Sequence, residues 1–236
     1  MGGTEFYAEP LELKALRFVA SPVCPFNAKP RCPLCNVVIS HHHIEAVTAK
    51  AWELLLCWLK GRDQMQLAVT VRQEVSVDAA DIRLVNRLAF AGDAEADLVD
   101  TLRQRGKVLL SLLAECGSRV IGHILFSRVT LDPAPPGLSA VGLAPLSVLP
   151  EFQNQGVGSL LVRKGLAHCR DAGHQVVVVL GHPAYYPRFG FVPAGRFGIR
   201  SEFDVPDEVF MILELNDRVL GSGGGTARYE SEFNLF

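Results

Sequence analysis

Two segments of this chain hold residue types whose spacing could do chemistry. The first is Leu146-Ser147-Val148-Leu149-Pro150-Glu151-Phe152-Gln153-Asn154-Gln155-Gly156-Val157-Gly158-Ser159, which reads as a strand running into a glycine-containing turn that opens a helix. Gly156 and Gly158 leave backbone N–H groups without side-chain cover at that helix N-terminus, where unpaired donors and the helix dipole together favour an anion such as a pyrophosphate. An isolated Gly-x-Gly pair is equally well explained by close packing of a helix on a sheet, so its surroundings must decide. The second segment is amino-terminal: Cys24, Cys32 and Cys35, followed by His41, could supply four ligands to zinc. Only Cys32 and Cys35 form a close couple there, and His42 and His43 compete with His41, so no metal is expected.

The elements that must position these residues emerge after Met65. Before it, Pro10, Pro22, Pro25, Pro30 and Pro33 punctuate short apolar pieces, and one helical stretch runs from Ile44 to Lys60. Residues 1–64 are therefore expected to form a poorly ordered extension, one that could arise from translation upstream of a start at Met65. Residues 65–236 are expected to form the functional domain. Leu67 to Arg72 alternates like a strand, and Asp78 is placed to N-cap a helix reaching Phe90. A second helix spans Ala94 to Gln104. Val108 to Glu115 and Arg119 to Leu131 are strands joined by Cys116-Gly117-Ser118, the chemistry of a hairpin turn. Leu138 to Leu149 is a strand, Gly156 to Gly173 a helix and Val176 to Leu180 a buried strand, with Gly221 to Gly225 a flexible loop before a strand-like or irregular tail. Strand pairs before the Pro-rich loop and a βαβ order after it predict an α/β fold with a mixed sheet covered by helices.

Composition narrows the function classes. Lys and Arg number 23 against 25 Asp and Glu, with no block of like charge to track nucleic acid or an anionic membrane. The most apolar run, Leu54 to Leu59, is far short of the ~20 residues that span a bilayer, and no secretory signal is evident. A cytoplasmic protein is the expectation, with a homodimer left open. Cysteine spacing does not make a disulfide framework.

Gln153-x-x-Gly156-x-Gly158 resembles the Gln/Arg-x-x-Gly-x-Gly/Ala signature of the GNAT N-acetyltransferases. Tyr185-Tyr186-Pro187-Arg188-Phe189-Gly190-Phe191 resembles that family's second signature, in the right order after a strand. The wider run from Leu67 to Tyr229, including Gly122-His123-Ile124 and Val205-Pro206-Asp207-Glu208, is similar to a bacterial subgroup of N-acetyltransferases. The resemblance implies acetyl-CoA as cosubstrate and a small-molecule or peptide amine as acceptor. It implies that Leu146, Ser147 and Val148 lie beside the pantetheine, Val148 holding its amide and the Leu146 N–H steadying the oxyanion. Gln153, Asn154, Gln155, Gly156, Val157, Gly158 and Ser159 would then bind the cofactor, the turn from Asn154 wrapping its pyrophosphate.

Tyr186 stands at the family's tyrosine position, where a phenol with a pKa near ~10 can donate a proton to the departing thiolate. Tyr185 is the lesser choice. Val179 stands near the place of the family's usual asparagine, so the contact to CoA supplied from there is missing. Glu95, Glu115, Glu151, His123 and His182 are all open as the base. Two other readings stay open: a CoA-binding module without turnover, and a structural protein whose glycine turn only packs.

Overall fold

In the computed structural model the chain divides into two units, Met1–Gln64 and Met65–Phe236. The structure describes residues 69–221 and 224–235. The helix expected over 44–60 and the quartet Cys24, Cys32, Cys35 and His41 lie outside the described residues.

Apolar periodicity becomes structure much as its spacing predicts. Strand β1 (Val69–Gln73) leads to helices α1 (Ala79–Phe90) and α2 (Ala94–Gln104), then to the hairpin β2 (Val108–Cys116) and β3 (Arg119–Asp132). After the Pro-rich loop come β4 (Ala140–Val148), α3 (Val157–Asp171) and β5 (Val176–Leu180). Four shorter strands follow, β6 (Val192–Pro193), β7 (Ile199–Ser201), β8 (Phe210–Glu214) and β9 (Gly225–Arg228). The sheet runs β1-β2-β3-β4-β5-β8-β6, with β9 pairing both β3 and β7. Its pairs are antiparallel except β4 with β5 and β7 with β9, the mixed sheet that the element order predicts.

Strand alternation assigns the two faces. Ile124 and Phe126 of β3 lie against Gly165 of α3, and Gly122 lies against Leu161. His123, one residue out of phase, meets Asn86 of α1 on the other side. Helix α3 therefore covers one face and α1 the opposite one. Between them sits a core that includes Ile82, Leu102, Leu113, Leu125 and Phe191, each at most 1% exposed.

Asp78 does not cap α1. It ends a 3₁₀ turn at Ser76–Asp78 in right-handed geometry, without a side-chain bond to the helix. Its carboxylate instead accepts from the Val75 N–H at 2.8 Å and from both terminal nitrogens of Arg72 at 2.7 and 2.8 Å. The Arg72 bonds, strengthened by the backbone bond, hold its pKa down to about 2. A charge-assisted bidentate pair outcompetes one N-cap hydrogen bond, and Arg72 in β1 is close enough only because the chain has folded. The tail, expected to be strand-like or irregular, forms a strand at Gly225–Arg228, because β3 outruns β4 and leaves Thr130 to Asp132 an edge to fill.

Candidate active site

The site begins where β4 and β5 separate. They pair only over Ala140–Gly142 with Val176–Val178. Beyond that point β4 stays on β3 and β5 stays on β8, so the two strands open into a cleft. A bulge in β4, where Leu143 opposes Phe126 and Leu146 opposes Ile124, re-aims the strand at this opening.

The free edge of β4 can be read from its bonded edge. The Leu149 N–H donates to the Ile121 carbonyl at 2.9 Å, and Ser147 opposes His123. Alternation then turns the N–H groups of Leu146 and Val148 away from β3, toward the cleft. Gln153 Nε2 donates to the Val148 carbonyl at 3.0 Å, on that same open edge. Two strand donors thus face the cleft without a strand to accept from them.

Next to this edge is the start of α3. Gly156, at φ 89°, is its N-cap, a left-handed backbone that a side chain would resist. No side chain caps the helix and no acidic residue lies in its first turn, so its leading N–H groups point outward. They border a groove of about 400 Å³ lined by Leu146, Val148, Asn154, Gly158, Ser159 and Tyr185, among others. A Cβ at Gly158 would lie 2.8 Å from the Tyr185 hydroxyl, so this position has no room for a side chain while the tyrosine stays put.

A second cavity of about 770 Å³ opens on the other side of Leu146, and Leu146, Tyr185 and Arg188 line both spaces. Tyr186 lines this larger cavity only. Its ring is 7% exposed, meets Tyr185 edge-on at 5.0 Å and Phe191 at 5.6 Å, and overlies Gly181, where a Cβ would overlap it. Burial, and then the neighbouring Tyr185, raise the Tyr186 pKa above its ordinary value, so the phenol holds its proton across the physiological range.

The residues expected to bind the cofactor divide by this geometry. Leu146, Val148, Gln153, Asn154, Gly156, Gly158 and Ser159 line the groove. Ser147, Gln155 and Val157 turn their side chains elsewhere: Ser147 Oγ donates toward the His123 carbonyl at 3.5 Å, Gln155 Nε2 to the Glu151 carbonyl at 2.8 Å, and Val157 is buried. Val179, in place of the family's asparagine, is 1% exposed in the core.

The base candidates divide as well. Glu95 and His182 line the larger cavity. His182 Nδ1 accepts from the Ala184 N–H at 3.3 Å, which leaves Nε2 as a donor in the neutral ring. Glu151 is paired with Arg119 at 2.6 Å on the surface, and Glu115 with Arg72 at 2.6 Å. His123 is fully buried, its Nδ1 3.2 Å from Asn86 Nδ2 and its Nε2 2.9 Å from Ser111 Oγ, which itself donates to Glu74. Burial, then the positive Arg103, push its pKa down to about 3, so it is a neutral core group.

Arg188 is the residue that sequence reasoning passed over. Its guanidinium stacks 4.0 Å over the Tyr185 ring, and its Nε donates to the Tyr185 carbonyl at 2.9 Å. Tyr185 and Arg188 are three residues apart across the 3₁₀ turn Tyr186–Phe189, whose period eclipses such pairs. That spacing was the available signal. Among the described residues that line the groove, Arg188 is the one cation.

Comparison with known proteins agrees with this architecture. Residues 109–193 match the family model described as an acetyltransferase (GNAT) domain. The chain is 46% identical over 134 residues to the uncharacterized N-acetyltransferase YjhQ of Escherichia coli K12, covering 56% of this chain and 74% of that protein. It is 37% identical over 167 residues to the uncharacterized N-acetyltransferase YhbS of the same strain, covering 70% of this chain and 99% of that one. The chain belongs to the GNAT acetyltransferase family. As a GNAT acyltransferase it superposes on the crystal structure of E. coli YhbS in complex with CoA, with TM-score 0.66 and 36% identity over 70% of this chain and 92% of that one. A GNAT acetyltransferase from Brucella melitensis in complex with acetyl-CoA gives TM-score 0.59 and 36% identity over 70% of this chain and 98% of that one. Among the described residues no group of three or more His, Cys, Asp or Glu could hold a metal ion, and no helix is long and apolar enough to cross a membrane.

Proposed function

We propose that this GNAT chain transfers the acetyl group of acetyl-CoA to a primary amine by direct attack. The observation that carries the reading is the free edge of β4 beside the uncapped start of α3. One offers strand-like donors to a pantetheine amide, and the other offers helix donors to a pyrophosphate. Both relatives bound to CoA or acetyl-CoA, from E. coli and Brucella melitensis, support that ligand for this chain. Arg188 adds a cation at the groove.

In this reading the thioester carbonyl lies near Leu146, at the junction of the two spaces. The amine nitrogen attacks the carbonyl carbon and a C–N bond forms. The Leu146 N–H stabilises the tetrahedral oxyanion, the C–S bond then breaks, and the thiolate leaves toward the Tyr186 hydroxyl. The proton lost by the amine goes to a base in the larger cavity or to water.

Thiol release from acetyl-CoA, measured with and without amines, tests the reading, together with the mass of the acetylated amine. Amine-dependent release with one product per thiol supports it. Tight acetyl-CoA binding with no amine-dependent release would make the chain a CoA-binding module instead.

A further inference from the structure

The larger cavity holds more information about the acceptor than the family does. Its walls are mostly apolar: Phe90 and Leu98 from α1 and α2, Leu143 and Pro145 from β4, Leu180 from β5, and Phe233 from the carboxy-terminal turn, with the rings of Tyr185 and Tyr186 beside them. Besides the two tyrosines, the described residues of its lining that can carry charge are Glu95, His182 and Arg188. Arg188 also lines the pyrophosphate groove and is stacked on Tyr185, which assigns it to the cofactor side.

Glu95 differs from its neighbours. Asp97 and Asp100, on the same helix, are held by Arg83 at 2.7 and 2.6 Å, and Asp100 also by Arg103. Among the described residues Glu95 has no such partner. A half-buried carboxylate on the wall of an apolar cavity lacks a counter-charge that a ligand can bring. A single ammonium satisfies it. A second ammonium would find no further carboxylate among the described residues of the lining and would face Arg188, and the hydroxyls of an aminosugar would lose water against leucine and phenylalanine.

We infer that the acceptor is a hydrophobic monoamine, an alkyl or arylalkyl primary amine, whose ammonium docks on Glu95 and whose body fills the apolar cavity. The inference rests on the acetyl-transfer reading and adds the substrate class to it. Glu95 anchors the ammonium and takes its first proton, which frees the nitrogen lone pair to attack; the second proton, released from the nitrogen as the C–N bond forms, passes to water.

The test is thiol release by the full chain with acetyl-CoA, comparing amines at equal concentration of the neutral form. One arm is the series from n-propylamine to n-hexylamine. The other sets 2-phenylethylamine against spermidine and kanamycin. A buried methylene is worth about fourfold, so kcat/KM is expected to rise about two- to fourfold per added carbon until the cavity fills. The arylalkylamine is expected to exceed both polycations at least tenfold. Glu95→Gln is expected to lower kcat/KM for hexylamine at least tenfold while leaving acetyl-CoA affinity in place. Phe90→Ala, at a partly exposed wall residue, is expected to flatten the chain-length slope. A flat or falling series, or preference for spermidine or kanamycin, overturns the substrate class while acetyl transfer stands. Bound acetyl-CoA with no release by any amine overturns acetyl transfer, and the class with it.

Discussion

Replacing Tyr186 by Phe removes one oxygen atom from a ring that is otherwise held on three sides. Gly181 lies beneath that ring, and Tyr185 and Phe191 meet its edges at 5.0 and 5.6 Å. Among the described residues the hydroxyl has no hydrogen-bond partner, and burial and then Tyr185 raise its pKa. Losing it therefore strands no partner, and the fold should change by less than about 1 kcal/mol. Turnover should not be spared. General-acid contributions run about 10²- to 10⁴-fold, or about 2.7 to 5.4 kcal/mol of barrier. The raised pKa selects the lower end of that range. A thiol near ~8.5 is a stronger acid than this phenol, so complete proton transfer is uphill and the hydroxyl acts mainly by donating a hydrogen bond to the thiolate.

The expected loss in kcat for Tyr186→Phe is thus about 10²-fold, with the acetyl-CoA Kd unchanged and a smaller loss for an acyl donor with a more acidic thiol. Single-turnover rates are the assay, since product release can hide a chemical step. The pH profile gives a second reading. A pKa raised above the ordinary value of 10.0 keeps the protonated form at higher pH, so rates should climb as the amine deprotonates and hold through pH 10. Wild-type single-turnover rates in Tyr186→Phe, or an alkaline fall below pH 10 that the Phe variant lacks, would refute the assignment.

Gly158→Trp should fill the space against the Tyr185 hydroxyl and weaken acetyl-CoA binding at least tenfold, about 1.4 kcal/mol by calorimetry; unchanged affinity in a folded variant would remove the pyrophosphate groove from this helix start. His123, whose folded pKa is pushed down to about 3 from an ordinary 6.5, binds its proton more readily when unfolded. Stability from this group is therefore complete above pH 6.5 and falls as the pH drops toward 3. By denaturant titration the loss at pH 5.5 should be about 1.4 kcal/mol relative to pH 8. His174, also held low by burial and then by Arg128, adds to that slope. The difference between parent and His123→Gln isolates His123, and equal slopes in the two would count against its burial as a neutral ring.

Much of this fold is decided by local pattern. Strands and helices from β1 to β5 stand within a few residues of where apolar periodicity and turn residues predict them, because each is bounded by chemistry that acts over four to ten residues. The glycine turn at the start of α3 was legible for the same reason, since Gly156 and Gly158 set backbone geometry that no distant residue needs to supply. Strand β8 carries the apolar run Phe210 to Leu213, outside the elements assigned from sequence, and its insertion between β5 and β6 is a matter of partners.

What required the tertiary structure are relations between residues far apart in the chain. Asp78 satisfies every local rule for an N-cap and is drawn off by Arg72, across a β1–helix junction that exists only in the folded chain. Glu95, Glu115, Glu151, His123 and His182 are equal candidates as residue types. Burial removes His123, Arg119 engages the exposed Glu151 and Arg72 the half-buried Glu115, and the cavity keeps Glu95 and His182. The cavity itself is made from α1, α2, β4, β5 and the last turn of the chain. A sequence determines which side chains could do chemistry. Which of them share a space depends on where two strands part, and here that parting comes from a pairing that ends after three residues.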